Sequence, residues 1–388
     1  MNKVNIRRGQ SSATDARQAV AEFHAAVVQP NMELVIFFSS SQYDLEVLAK
    51  EMNRVFSGVQ VVGCTTAGEI GPNGYCSHSL TGVSFSSSSF VTVDGLLEHL
   101  NDFDATKTNS FAQNLLQRLE SKIPNMDTKN CFAFMLIDAM SMREEPVAFT
   151  LQHTLGKIPL FGGSAGDDQK FKKTQVYSNG QFHSNSAILV IVNTSLPFKL
   201  FKTQHFVPTN ERLVVTEANP DQRIVNELNG FPATKEYARL IGVESAELNP
   251  LHFADSPVVV MIDGTDYVRS IQKTNTDGSL KFYCAVENGI VLRVAHGVNL
   301  IKNLEQALAK IKKEIGPMQL VLCCDCILRN LEISRNNTKK QVEKIFLDNN
   351  TIGFCSYGEQ FRGVHVNQTL TGCAIGYEPN ADIGGKNV

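Results

Sequence analysis

The chain has 388 residues, too many for one ordinary core, and its 43% hydrophobic content fits a globular protein with two domains of mixed structure. The formal charge of -3 leaves no excess of positive charge to neutralise phosphates, which argues against a nucleic-acid partner. No apolar run approaches the ~20 residues that cross a bilayer, so no membrane span is expected.

Residues 1–29 mix Arg7 and Arg8 with Ser, Asp and Glu and lack the apolar stretch of a secretory signal. A cytoplasmic protein is therefore expected, with its nine cysteines free or bound to metal instead of paired in disulfides. Met32 to Phe38 then reads as a buried strand. Leu45, Leu48, Met52 and Val55, spaced by three and four, form the apolar stripe of a helix.

Next comes Val61-Val-Gly-Cys-Thr-Thr-Ala-Gly-Glu69, followed after eleven residues by Thr81. The same layout recurs near the other end of the chain as Thr351-Ile-Gly-Phe-Cys-Ser-Tyr-Gly-Glu359, followed after eleven by Thr371, at a constant offset of 290. Gly63, Gly68, Glu69, Leu80, Thr81 and Gly82 match Gly353, Gly358, Glu359, Leu370, Thr371 and Gly372. Upstream, Met32 to Phe38 matches Met318 to Cys324 at an offset of 286, so each copy is a whole unit. A third copy lies between them, with apolar runs at Phe132 to Ile137 and Ile158 to Phe161, and Ser164-Ala-Gly-Asp167 echoing Thr66-Ala-Gly-Glu69.

Glycine lets the chain turn sharply at a strand end. Glu69, Asp167 and Glu359 are thus expected to follow strand ends, with at least one lining a cleft. Each copy reads strand, helix, strand, hairpin, strand. The predicted fold class is α/β, with mixed sheets covered by helices and built from these repeated units. Asn179-Gly180, Asp277-Gly278 and Asn288-Gly289 are hairpin signals. Punctuation between Val207 and Val215 divides the chain into domains at 1–210 and 211–388. In the second of these, Leu304, Leu308, Ile311 and Ile315 mark a long helix stopped by Gly316-Pro317.

On these motifs, together with Gly162-Gly-Ser-Ala-Gly-Asp-Asp168 and Asp325-Cys-Ile-Leu-Arg329, the sequence resembles the FIST family of paired N- and C-terminal sensory domains over nearly its whole length. The resemblance implies sensing of a small ligand with output through a signalling partner. One branch, the nitric oxide sensing proteins (NosP), binds haem and controls a histidine kinase. Similarity to that branch implies a haem-binding nitric oxide sensor acting on a histidine kinase or a cyclic-di-GMP pathway.

Under that implication the axial ligand is sought among the histidines. His365 stands between two valines just beyond the Gly358-Glu359 turn, and His296 is second. A hydrogen-bonded structural histidine is the alternative for His365. Arg329 suits a haem propionate or ligand carboxylate, or else an ion pair with Glu359 or Asp325. Cys324 and Cys326, alternate residues of one strand, and Cys355 on its neighbour form a candidate thiolate site for zinc or an iron-sulfur cluster, against the reading of buried free thiols.

Gly162-Gly-Ser164-Ala-Gly166 fits the turn of an α/β-hydrolase nucleophile, but a hairpin instead of a helix is expected after it, so no enzyme is predicted. Three functions stay open: a haem gas sensor, a sensor of a small metabolite such as an amino acid, and a thiolate metal redox sensor.

Overall fold

In the computed structural model, which describes residues 5–378, three copies of one unit close into a ring. The first runs through strand Ile6–Ser11, helix Ala16–Val27, strand Met32–Ser40, helix Leu45–Val55, strand Gln60–Thr66, the hairpin Glu69–Gly71 and Gly74–Cys76, and strand Leu80–Ser86. The second repeats that order from Phe90–Leu97 to Ala187–Thr194. The third opens with Phe198–Thr203 and resumes at helix Leu300–Ile315, continuing to Leu370–Gly376. Between those two points lies an eight-stranded half-barrel sheet from Phe206–Asn219 to Val291–Gly297. The strand Phe206–Asn219 runs across the position where the two expected domains divide.

The α/β class with repeated strand-helix-strand-hairpin units is what the structure shows. Each unit gives its hairpin away. Glu69–Gly71 of the first repeat pairs with Thr351–Ser356 of the third. Glu359–Phe361 of the third pairs with Leu160–Ser164 of the second. Val176–Ser178 of the second pairs with Gln60–Thr66 of the first. The exchange is cyclic, and it completes the hydrogen bonding of one strand edge in each of the three repeat sheets.

The parallel registers identify equivalent residues: Phe37 sits opposite Gly63, Met135 opposite Gly162 and Cys323 opposite Gly353. A Cβ at any of these three glycines would meet the neighbouring strand's carbonyl oxygen, at 2.6, 2.2 and 2.1 Å respectively. Close strand approach therefore requires glycine at that point in all three copies.

This register corrects the alignment of the middle copy by one residue. Thr65, Ser164 and Cys355 each donate a backbone hydrogen bond to a residue that starts an incoming hairpin, namely Gln175, Gly358 and Gly68. Ser164 is thus the counterpart of Thr65, not of Thr66. The counterpart of Glu69 and Glu359 is Val176, which pairs with Cys64 as Glu69 pairs with Phe354. Asp167 lies in an extra loop, residues 167–174, where the other repeats pass directly into their hairpins.

The inner faces of the three repeat sheets share one core, in which Phe38 stacks on Phe354 at 4.6 Å. Helices cover the outer faces, burying the predicted stripe residues Leu48 and Met52 in one case and Leu304, Leu308 and Ile311 in another. The half-barrel closes over its own core and over Val366 of the third hairpin. Among the described residues no helix is long and apolar enough to cross a membrane.

Candidate functional site

Two elements far apart in sequence meet where the half-barrel faces the second repeat. Helix Glu144–Leu155 begins with two carboxylates, which suit the positive end of a helix. Arg223, in the tight turn after Pro220, donates from Nη2 to Glu144 Oε2 at 2.6 Å and to Glu145 Oε2 at 2.9 Å. Its Nη1 donates to the carbonyl of Tyr283 at 2.7 Å, and the Ala285 N–H donates to Glu145 at 2.7 Å. Burial alone would lower the Arg223 pKa, but Glu144 and Glu145 outweigh it and raise it, so the guanidinium stays charged.

Glu144 and Arg223 form part of the wall of a cavity of about 100 Å³, together with Met142, Phe171, Lys281 and Tyr357. Phe171 lies flat on Tyr357 at 4.2 Å, and the Tyr357 hydroxyl donates to Asp167 at 2.5 Å. Met142, Phe171 and Arg223 have φ values of +51°, +51° and +55°, a left-handed backbone that such side chains rarely adopt. Strain of this kind gathers at functional sites. Lys281 has its pKa lowered by burial and then by Arg223 and Lys273.

Behind the cavity runs a buried polar chain. Ser164 Oγ donates to Glu144 at 3.4 Å and accepts from Gln360 Nε2 at 2.9 Å, and the same amide lies 3.2 Å from His365 Nδ1. No helix follows Ser164; the chain enters the 167–174 loop. His365 is 1% exposed, and burial lowers its pKa despite the raising effect of Glu145 and Glu144, so it is held neutral. Its Nε2 has no hydrogen-bond partner. That atom faces the backbone of Gly358, where an added Cβ would come within 2.9 Å of Nε2. His296 is exposed on the half-barrel.

The other predicted residues do not converge on His365. Arg329, on the buried side of helix Ile327–Arg335, donates from Nε to Asp325 at 2.7 Å, while the Tyr75 hydroxyl donates to the second Asp325 oxygen at 2.5 Å. Arg329 thus forms the ion pair with Asp325, while its buried Nη2 has no hydrogen-bond partner. Glu359 lines no cleft. It is fully buried, accepting from Ser356 at 2.7 Å and Thr369 at 2.6 Å, just as Glu69 accepts from Thr66 at 2.5 Å and Ser79 at 2.7 Å. These carboxylates pin each hairpin to the following strand. Asp167 accepts from the N–H groups of Phe171, Lys172 and Lys173 at 2.8, 2.7 and 2.9 Å and so ties its own loop together.

The thiolate set divides. Cys324 faces the central core, whereas Cys355 stands beside Asp325 in register and belongs with Cys323 to the outer layer. Neighbours in a parallel register share a face, so Cys355 cannot join Cys324 and Cys326. Burial raises all three thiols well above their ordinary range, which opposes thiolate formation. Among the described residues no three His, Cys, Asp or Glu side chains are placed to hold a metal ion.

A haem needs a cavity that reaches its axial ligand, whereas His365 is buried with its ring packed against Gly358. His365 with Arg329 therefore does not fit haem as these residues stand. The residues that sequence reading missed are Glu144, Arg223, Lys281 and Tyr357. Only the twin Glu144-Glu145 at a helix start offered any signal, since Arg223 reaches Glu144 across 79 residues.

Comparison with known proteins adds the following. The FIST N domain model matches residues 33–230, and the FIST C domain model matches residues 233–362. An uncharacterised protein of Methanocaldococcus jannaschii, MJ1623, is 22% identical over 90% of this chain and 75% of its own length. A solved structure of cyanuric acid hydrolase, described as an evolutionary innovation by structural concatenation, aligns over 96% of this chain and 99% of its own. Its TM-score is 0.38 and its identity 7%, a likeness too slight to bear on activity.

Proposed function

Because this chain belongs to the FIST family through both an N and a C domain, we propose that it is a cytoplasmic signalling sensor, not an enzyme, whose ligand is a small zwitterionic metabolite such as an amino acid. The observation that carries this reading is the cavity between the second repeat and the half-barrel, whose wall includes the Glu144–Arg223 ion pair together with Lys281. A ligand ammonium suits Glu144, and a ligand carboxylate suits Lys281. The Phe171, Tyr357 and Met142 side chains would enclose an apolar remainder. A ligand that touches both the repeat ring and the inserted half-barrel favours one arrangement of the two, and that difference is a signal a partner can read.

Thermal unfolding against the twenty amino acids tests the reading. At a hundredfold excess over Kd a ligand stabilises by about 2.7 kcal/mol, a rise in Tm of several degrees. One amino acid or a related few should produce it, and Lys281→Ala should abolish it. No stabilisation by any amino acid sinks the proposal.

Haem-dependent nitric oxide sensing, with a histidine kinase or cyclic-di-GMP pathway as output, is the second reading, and the unpartnered Nε2 of buried His365 favours it. It requires a rearrangement that opens space at Gly358. A Soret band lost in His365→Ala would establish it. Metal analysis of the same sample tests the zinc or iron-sulfur alternative.

A further inference from the structure

The loop 167–174 is extra to the repeat, and its backbone is strained: Asp168, Gln169 and Phe171 have φ of +54°, +65° and +51°. At one end Phe171 walls the cavity described above. At the other, Asp168 crosses to the first repeat. Its carboxylate accepts from Ser40 Oγ at 3.0 and 3.1 Å, from the Ser41 N–H at 3.0 Å and from Ser41 Oγ at 2.6 Å. Lys170 Nζ lies 3.4 Å from Ser41 Oγ and adds a positive charge. Ser40 also borders a separate cavity of about 120 Å³, lined by Thr14, Gln42, Tyr43 and His78.

We propose that Ser40 and Ser41 form a second ligand site, specific for the carboxylate of a small metabolite, and that Asp168 occupies it in the structure as an internal stand-in. The donors are those a free carboxylate needs: two hydroxyls and a backbone N–H converging on one group. The adjoining cavity, lined by hydroxyl, amide and imidazole side chains, takes the rest of a polar ligand. Glu69 is the neighbouring acid, and burial pushes its pKa up to about 7, so at neutral pH it repels an incoming anion only partly. A ligand here competes with Asp168, and the strain released from the loop assists the exchange. Because Asp168 and Phe171 share that loop, displacement at Ser40–Ser41 would shift the wall of the first cavity. This last coupling rests on the sensor reading above; the carboxylate site does not.

Chemical rescue with acetate tests the site. Asp168→Ala should lower Tm by roughly 2–6 °C, and acetate should restore most of the loss in a saturable way. Acetamide and sodium chloride at equal concentration should not, and Ser41→Ala in the same background should abolish the rescue. Acetate acting no better than acetamide, or equally well without Ser41 Oγ, overturns the proposal. Should Asp168→Ala fail to fold, Ser41→Ala in the otherwise native chain replaces it. Amide hydrogen exchange at residues 169–173 should then quicken at least tenfold in Ser41→Ala; unchanged exchange overturns the proposal. Neither experiment involves Lys281 or an amino acid, so a failure here and a failure of the first cavity are told apart.

Discussion

Glu359 and Glu69 hold the same structural post in two repeats, and burial gives both an unusual titration. The Glu359 carboxyl is pushed up to about 8 and that of Glu69 to about 7, although hydroxyl donors oppose the shift. An acid whose folded pKa is raised binds its proton more tightly in the folded state than in the unfolded chain. Between about pH 4.5 and 8 the folded form therefore carries the extra proton, and stability falls as pH rises through that window. Glu359→Gln keeps the shape and removes the titration. The difference in unfolding free energy between wild type and Glu359→Gln, measured by urea denaturation from pH 5 to 9, should decline with a slope of at most about 1.4 kcal/mol per pH unit and level off above pH 8. A flat difference would show that Glu359 titrates normally. Glu145 and Asp167, whose pKa values are lowered, change charge below this window and do not enter it.

The extra loop is the clearest departure of one element from its counterparts. In the first repeat Ala67 passes straight to Gly68, and in the third Tyr357 passes straight to Gly358, with φ of +133° and +147° at the two glycines. In the second repeat the loop spreads that turn over residues 167–174 and arrives at Gln175. Deleting 167–174 joins Gly166 to Gln175 and forces on Gln175 a conformation that only glycine takes readily. The deletion combined with Gln175→Gly should fold, with a native far-UV circular dichroism spectrum. The deletion alone should be less stable by about 1 kcal/mol or more. Equal stability of the two would mean that the turn is not shared among the repeats. Ligand binding at the Phe171 cavity should be lost in both.

The whole molecule is divided by sequence and interlocked by structure. The FIST N and C matches lie end to end along the chain, yet the third repeat's hairpin completes a sheet of the second, and the first repeat's hairpin completes a sheet of the third. Residues 1–210 alone would leave Leu160–Ser164 without the pairing of Glu359–Phe361, and residues 211–388 alone would leave Thr351–Ser356 without Glu69–Gly71. Each exposed edge is an aggregation hazard. The full chain should unfold in one calorimetric transition with equal van't Hoff and calorimetric enthalpies, while the separate halves should be soluble only when co-expressed. Two resolved transitions, or two independently folded halves, would show that the exchange is dispensable.

The sequence by itself determined the repeated unit, the family and the stripes that each helix buries, because these rest on local period and on residues kept at a constant offset. Gly63 and Gly353 were legible for the same reason: one steric demand, met twice, leaves one mark. The middle copy was legible only to within one residue, since Ser164-Ala-Gly-Asp167 imitates the turn of its neighbours while the chain there runs into a longer loop. What no local pattern carried was which units would meet. Tertiary structure alone decided that the hairpins are exchanged, that Cys355 faces away from Cys324, and that Arg223 closes on Glu144 beside a cavity. Each of these outcomes depends on sheet register or on a contact between residues distant in the chain, and neither is encoded in the spacing of residues along it.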